Sequence, residues 1–169
     1  YRNNSGNFQH LLTNAQSRIQ RLVIVPMLSK TSNGTRTGVT PQESIYSTEP
    51  STCSPCLITD FNVKLSGTSI YRTNQVYKYE TFINEVNVGG INANQQDGLC
   101  SGQISLKDYS NNYGYIVCDI SRRVAGDENT PFSVEIQGNI KSGLDMDFLC
   151  YLTYSKDCTL DLVTGQKID

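Results

Sequence analysis

Short apolar runs separated by polar, turn-rich stretches set the rhythm of this chain, and that rhythm predicts strands more than helices. The first firm element is 21–28, Arg-Leu-Val-Ile-Val-Pro-Met-Leu. It is rich in β-branched residues and reads as a strand buried on both faces. Pro26 cannot donate to a ladder, so it belongs at an edge, a bulge or the strand's end. Residues 56–65 alternate approximately, Ser66-Gly67-Thr68 supplies a turn, and 69–77 returns as the second arm of a hairpin. Residues 132–137 alternate cleanly, with Phe132, Val134 and Ile136 inward. Further strands are predicted over 102–107, 113–120, 144–152 and 158–163, the last stopped by Thr164-Gly165. Tyr79, Phe82, Ile83 and Val86 fall at i, i+3, i+4 and i+7, which predicts a short amphipathic helix over 79–87, ended by Gly89-Gly90.

The pattern makes eight strands and one short helix, with no βαβ alternation and no internal repeat. An all-β, antiparallel, eight-stranded jelly-roll sandwich fits best, with an immunoglobulin-like sandwich next. Residues 1–20 are polar except for 8–12 and read as an N-terminal arm or a turn of helix, leaving 21–169 as a single jelly-roll domain. Within it, 29–55 holds Pro41, Pro50, Pro55, Gly34 and Gly38 without periodicity and reads as one long loop. Residues 92–101 make another. Loops of that length usually contact a partner.

Composition narrows the function classes. A chain of 169 residues can bury a core without metal or disulfide staples. Charged residues make up 18%, ten Tyr accompany no Trp, and Ser, Thr, Asn and Gln fill the difference. Such a surface suits large wet contacts, a trait shared by carbohydrate-binding sandwiches. The net charge of −2 hides an asymmetry: Arg2, Arg18, Arg21, Lys30 and Arg36 all precede the first acid, Glu43. This basic portion suits weak contact with nucleic acid, an inner membrane or the acidic face of a neighbouring copy, or simply a solvated edge. Five dispersed cations are too few for a nucleic-acid footprint on their own. No apolar run is long enough to span a bilayer. The polar start, Tyr1-Arg2-Asn3-Asn4-Ser5-Gly6, has no signal-peptide pattern and reads as a piece of something longer.

Candidate chemistry is sparse. His10 is the single histidine and reads as an exposed bystander in the arm, so triads have one poorly held candidate. Cys53-Ser54-Pro55-Cys56 is the one close cysteine pair. No second pair follows at zinc-site spacing, and a strand pattern follows where a redox motif needs a helix. Cys118 and Cys150 lie in apolar runs and read as small buried hydrophobes, and reduced thiols in a protein made inside the cell are favoured. Gly89-Gly90 follows a helix, the wrong geometry for phosphate binding. Asp145 and Asp147, about 7 Å apart on one strand face, have the separation of an inverting glycosidase pair. Their favoured reading is the solvent face opposite Leu144, Met146 and Phe148. Asp127-Glu128-Asn129 reads as a turn before a calcium loop. Arg122-Arg123 reads equally as a strand end or a site for an acidic partner. Asn3-Asn4-Ser5 and Asn33-Gly34-Thr35 match the short glycosylation pattern. Tyr71, Tyr77, Tyr79, Tyr109, Tyr113, Tyr115, Tyr151 and Tyr154 are candidate interface anchors. The expectation is no catalytic, cofactor or metal site, and no enzyme.

Several segments carry a resemblance. They are Arg18-Ile19-Gln20-Arg21-Leu22-Val23-Ile24-Val25-Pro26, Leu57-Ile58-Thr59-Asp60-Phe61-Asn62-Val63 with Gly67, and Tyr77-Lys78-Tyr79-Glu80-Thr81-Phe82. Asp97-Gly98-Leu99-Cys100-Ser101-Gly102, Val117-Cys118-Asp119-Ile120-Ser121-Arg122 and Leu160-Asp161-Leu162-Val163-Thr164-Gly165 follow in order. Together they resemble the double jelly-roll major capsid proteins of polinton-like elements, virophages and their hexon-bearing relatives. The resemblance implies two jelly rolls standing perpendicular to a viral shell, in trimers of pseudo-hexagonal outline. It also implies a virion location, neighbouring capsid proteins as partners, no small-molecule substrate and no cofactor. This chain departs by holding strands for one roll, so it reads as one half, more readily the second, or as a single-roll or penton-type protein. Loops 29–55 and 89–101 would then make tower or intersubunit contacts. The alternatives are a β-sandwich module binding glycans or a surface receptor, perhaps with calcium at Asp127 and Asn129, and a hydrolase using Asp145 and Asp147.

Overall fold

The computed structural model describes residues 1–3, 6–28, 58–88, 106–111, 114–121, 130–141, 145–155, 159–160 and 167–168. The expected loops 29–55 and 92–101 lie outside the described residues. The body is built from β1 (Arg2–Asn3), β2 (Gly6–Gln16), β3 (Ile19–Leu28), β4 (Ile58–Leu65), β5 (Thr68–Ser69), β6 (Gln75–Tyr77), β7 (Ile116–Asp119), β8 (Phe132–Ile140) and β9 (Met146–Tyr154). Two helices, α1 (Tyr79–Val88) and α2 (Leu106–Asn111), and a separate pairing of β10 (Thr159–Leu160) with β11 (Lys167–Ile168) complete the described elements.

The architecture follows from one turn. Ser66 and Gly67 take φ of 47° and 84°, and two successive positive-φ residues match the twist of a tight hairpin joining Leu65 to Thr68. From there the chain folds back on itself. β4 pairs with β5 and β6, β3 with β7, β2 with β8 and β1 with β9, all antiparallel. The long ribbon then rolls up, because β3 also pairs with β9 and β4 with β8. Two sheets result, ordered β1-β9-β3-β7 and β2-β8-β4-β5, with β6 also on β4. Counting β5 and β6 as one broken strand, this is the eight-stranded jelly-roll sandwich expected of the chain.

Alternation supplies the core. Leu22, Ile24, Ile116, Cys118, Met146 and Phe148 come from one sheet and Phe8, Ile58, Phe61, Val63, Val134, Ile136 and Ile140 from the other, all buried. Phe8 and Phe148 meet edge to face across the gap with centroids 5.2 Å apart. Pro26 sits in a central strand without cost. Its ladder side, shared with Leu22 and Ile24, faces β7, whose pairing ends at Ile24.

Four expectations need correction. Residues 6–16 form not an arm or helical turn but β2, an edge strand whose register along β8 is set by cross-strand partners. Asn139 Nδ2 donates to Asn7 Oδ1 and Gln9 Nε2 to Glu135 Oε1. The described part of 158–163 pairs with β11 and lies outside both large sheets, and two of the eight sandwich strands, β1 and β2, come instead from the chain's start. Residues 106–107, expected in a strand, begin α2, where Tyr109 inserts between Phe82 and Tyr79 at 4.7 and 5.5 Å. There are therefore two described helices. Finally, β3 has one fully buried face, while Val23, Val25 and Met27 on the other are half-buried.

The return strand is broken for an identifiable reason. Asp60 at φ 55° makes a bulge in β4, and beyond it Asn62, opposite Gln137, is buried beneath the 71–74 stretch. Its amide Nδ2 donates to Tyr71 O at 3.0 Å and Asn74 Oδ1 at 2.9 Å, and its Oδ1 accepts from Tyr71 N at 3.2 Å. The stretch between β5 and β6 is thus stapled to a side chain instead of to the ladder.

Candidate functional site

Among the described residues the sequence candidates do not converge. His10 stands in β2, half-buried, not in a free arm. Its Nε2 hydrogen-bonds the buried Asn3 Oδ1, and its ring lies 4.9 Å from Tyr1 and 6.0 Å from Phe8. Burial first, then the neighbouring amino group of Tyr1, hold its pKa below the ordinary 6.5. Asp147 lies on the outward face of β9, opposite Met27, and Met146 and Phe148 on the inward face are buried, as the solvent-face reading expects. Asp127, Glu128 and Asn129, Arg122 and Arg123, and Cys53 and Cys56 lie outside the described residues. Among the described residues no group of three His, Cys, Asp or Glu is placed to hold a metal ion, and no described helix is long and apolar enough to cross a membrane.

Neither described cysteine, Cys118 or Cys150, is in a disulfide. Cys118 is fully buried on β7, and burial pushes the half-buried Cys150 thiol up to about 11. Cys150 is therefore a thiol near neutral pH.

The tyrosines divide sharply. Tyr71, Tyr77 and Tyr109 are buried, and Tyr79 and Tyr115 are half-buried. Burial, with Cys118 close by, raises the ionisation of Tyr71 and Tyr77 well above the ordinary range. Tyr77 does structural work. Its hydroxyl donates to Val117 O at 2.6 Å and accepts from Val117 N at 2.8 Å. On the next outward-facing residue of the same edge, Asp119 N donates to the buried Glu85 Oε2 at 3.0 Å. Glu85, placed there by α1, gave no signal in the sequence, because one carboxylate among helix apolars reads as a surface charge.

Of the tyrosines weighed as anchors, Tyr151 and Tyr154 are exposed, by 56% and 51%; Tyr151 shares the outward face of β9 with Leu149, exposed by 41%, and Tyr154 falls on the other face by alternation. Arg18 and Arg21, expected in a basic arm, are half-buried at the β2–β3 connection and in β3. Leu149 and Tyr151 thus give the outward face of β9 an exposed apolar pair. Comparison of the chain with protein-family models, curated proteins and solved structures returns no match.

Proposed function

We propose that this chain is a structural capsid domain, one roll of a two-roll shell protein that self-assembles into trimers and packs against neighbouring capsid proteins in a virion. The observation that carries the reading is the strand order, β1-β9-β3-β7 facing β2-β8-β4-β5, a jelly-roll order that viral capsid domains share with lectins and cupins. The exposed Leu149 and Tyr151 on the outward face of β9 support it, because they give a self-assembling domain apolar surface to bury.

The test is the intact parent chain, examined by native mass spectrometry and negative-stain imaging. The expected result is a trimer of pseudo-hexagonal outline whose subunit mass accommodates a second roll. A parent that stays monomeric at high concentration overturns the proposal.

A further inference from the structure

An antiparallel sheet in a sandwich turns one face to the core and one to water, and the water face is ordinarily polar. The sheet containing β2, β8 and β4 follows that rule. Its outward positions include Asn7, Gln9, Lys64, Glu135, Gln137 and Asn139. The other sheet does not. On β3 and β9 the outward positions form two apolar rows, Val23 opposite Tyr151 and Val25 opposite Leu149, with Met27 beside them. Leu149 and Tyr151 are exposed, and Val23, Val25 and Met27 are half-buried. The β-branched run of β3 carries apolar residues for two faces, and of its described side chains the core takes Leu22, Ile24 and Pro26. Among the described elements, helix packing falls on β7 and β6.

The two ends of the apolar rows limit what covers them. Arg21, opposite Thr153, stands at one end, and Asp147, opposite Met27, stands at the other. A partner of a single sign, such as a nucleic acid or an anionic membrane, loses at one end what it gains at the other. A second copy laid antiparallel matches both ends. Its Asp147 end lies over Arg21, its Arg21 end lies over Asp147, and apolar rows meet apolar rows between them. Parallel stacking sets Arg21 against Arg21 and is disfavoured.

We propose that the outward faces of β3 and β9 in two copies of this chain stack on each other, about a twofold axis lying in the interface and across the strands. Sheets stacked face to face sit about 10 Å apart, with strand directions within about 30° of each other. Tyr151 of each copy then packs over Leu149 of the other, burying the two most exposed side chains of the rows together. The contact uses a face and no sheet edge, so whatever strand lies along β9 leaves it open. Five apolar side chains make a small patch, which places the dimer at the weak, concentration-dependent end of the range. The contact rests on the self-assembly reading above but not on the trimer. Dimers without trimers sink the trimer and keep this contact, and trimers without Tyr151-dependent pairing do the reverse.

The test is sedimentation velocity on this chain from about 1 to about 500 µM, with circular dichroism melts showing that each variant is folded. The expected result is a monomer–dimer transition. Tyr151→Lys, at an exposed position, puts a charge into the apolar contact and weakens pairing by about tenfold or more. Asp147→Arg places cations at both ends of the rows and weakens pairing by roughly threefold or more. Leu11→Lys, at an exposed position on the outward face of the other sheet, leaves it unchanged. A chain that is monomeric throughout, a transition that Tyr151→Lys leaves in place, or a Leu11→Lys loss as large as that of Tyr151→Lys each overturns the proposal. Asp147→Arg pairing as tightly as the parent overturns it too, because the oppositely charged ends then do not meet.

Discussion

Gly138 is the position where a single methyl group tests the packing of the two sheets. It lies in β8 directly opposite Phe8 of β2. A Cβ built there comes within 2.8 Å of Ile58 Cγ2, 2.9 Å of Phe8 Cζ and 3.0 Å of Phe8 Cε1. Neither neighbour yields easily. Ile58 is fully buried and β-branched, so its methyl is held close to the backbone, and the Phe8 ring is wedged against Phe148. Two effects of Gly138→Ala oppose each other. Stiffening the unfolded chain stabilises by about 0.4–1 kcal/mol, while forcing a methyl into a filled core costs about 1–3 kcal/mol. Overpacking wins, leaving a net loss of about 1–2 kcal/mol, or roughly 2–8 °C in Tm for a domain of this size. Urea unfolding followed by circular dichroism measures it, and the m-value checks that the transition keeps its shape. Phe8→Leu in the Gly138→Ala background removes the clashing ring atoms, so it costs less than Phe8→Leu alone, by on the order of 0.5 kcal/mol or more. A Gly138→Ala chain as stable as the parent refutes the argument that Phe8 and Ile58 jointly fill this site.

Two further measurements bear on the edge and the rim. Tyr77→Phe leaves the edge N–H and C=O of Val117 without their shared partner, so stability falls by about 1–3 kcal/mol and the Val117 amide exchanges faster; unchanged exchange there means the hydroxyl does not close the edge. His10 is held below its ordinary pKa of 6.5, so the unfolded chain binds the proton more readily. Its contribution to stability is whole above about pH 6.5 and is lost as pH falls through the window down to the folded pKa. Melting temperatures of the parent and of His10→Gln, compared between about pH 5 and pH 7.5, show a shallower slope for the variant, and equal slopes exclude His10 as the source.

Much of the fold was legible because it is written locally. The alternation in β8, the β-branched run in β3, the Ser66-Gly67 turn and the i, i+3, i+4, i+7 spacing of α1 each depend on residues close in sequence. The edge strand β2 was not legible, because only Phe8 among its described side chains is fully buried and its polar residues find their meaning in β8, more than a hundred residues away. The last apolar stretch misled for the converse reason. Its residues 159–160 look like a sheet strand but pair with 167–168, and strand propensity does not name a partner.

The candidate surface divides in the same way. Residue types alone determined that the chain has a single histidine and ten tyrosines. Which tyrosines face outward was decided by tertiary contacts: Tyr77 and Tyr109 turn in to satisfy backbone carbonyls of Val117 and Tyr115, while Tyr151 and Tyr154 stay out. Local sequence sets the period and the turn, because those are properties of a few adjacent dihedrals. Pairing and exposure belong to the whole roll, because each depends on residues brought from the other end of the chain.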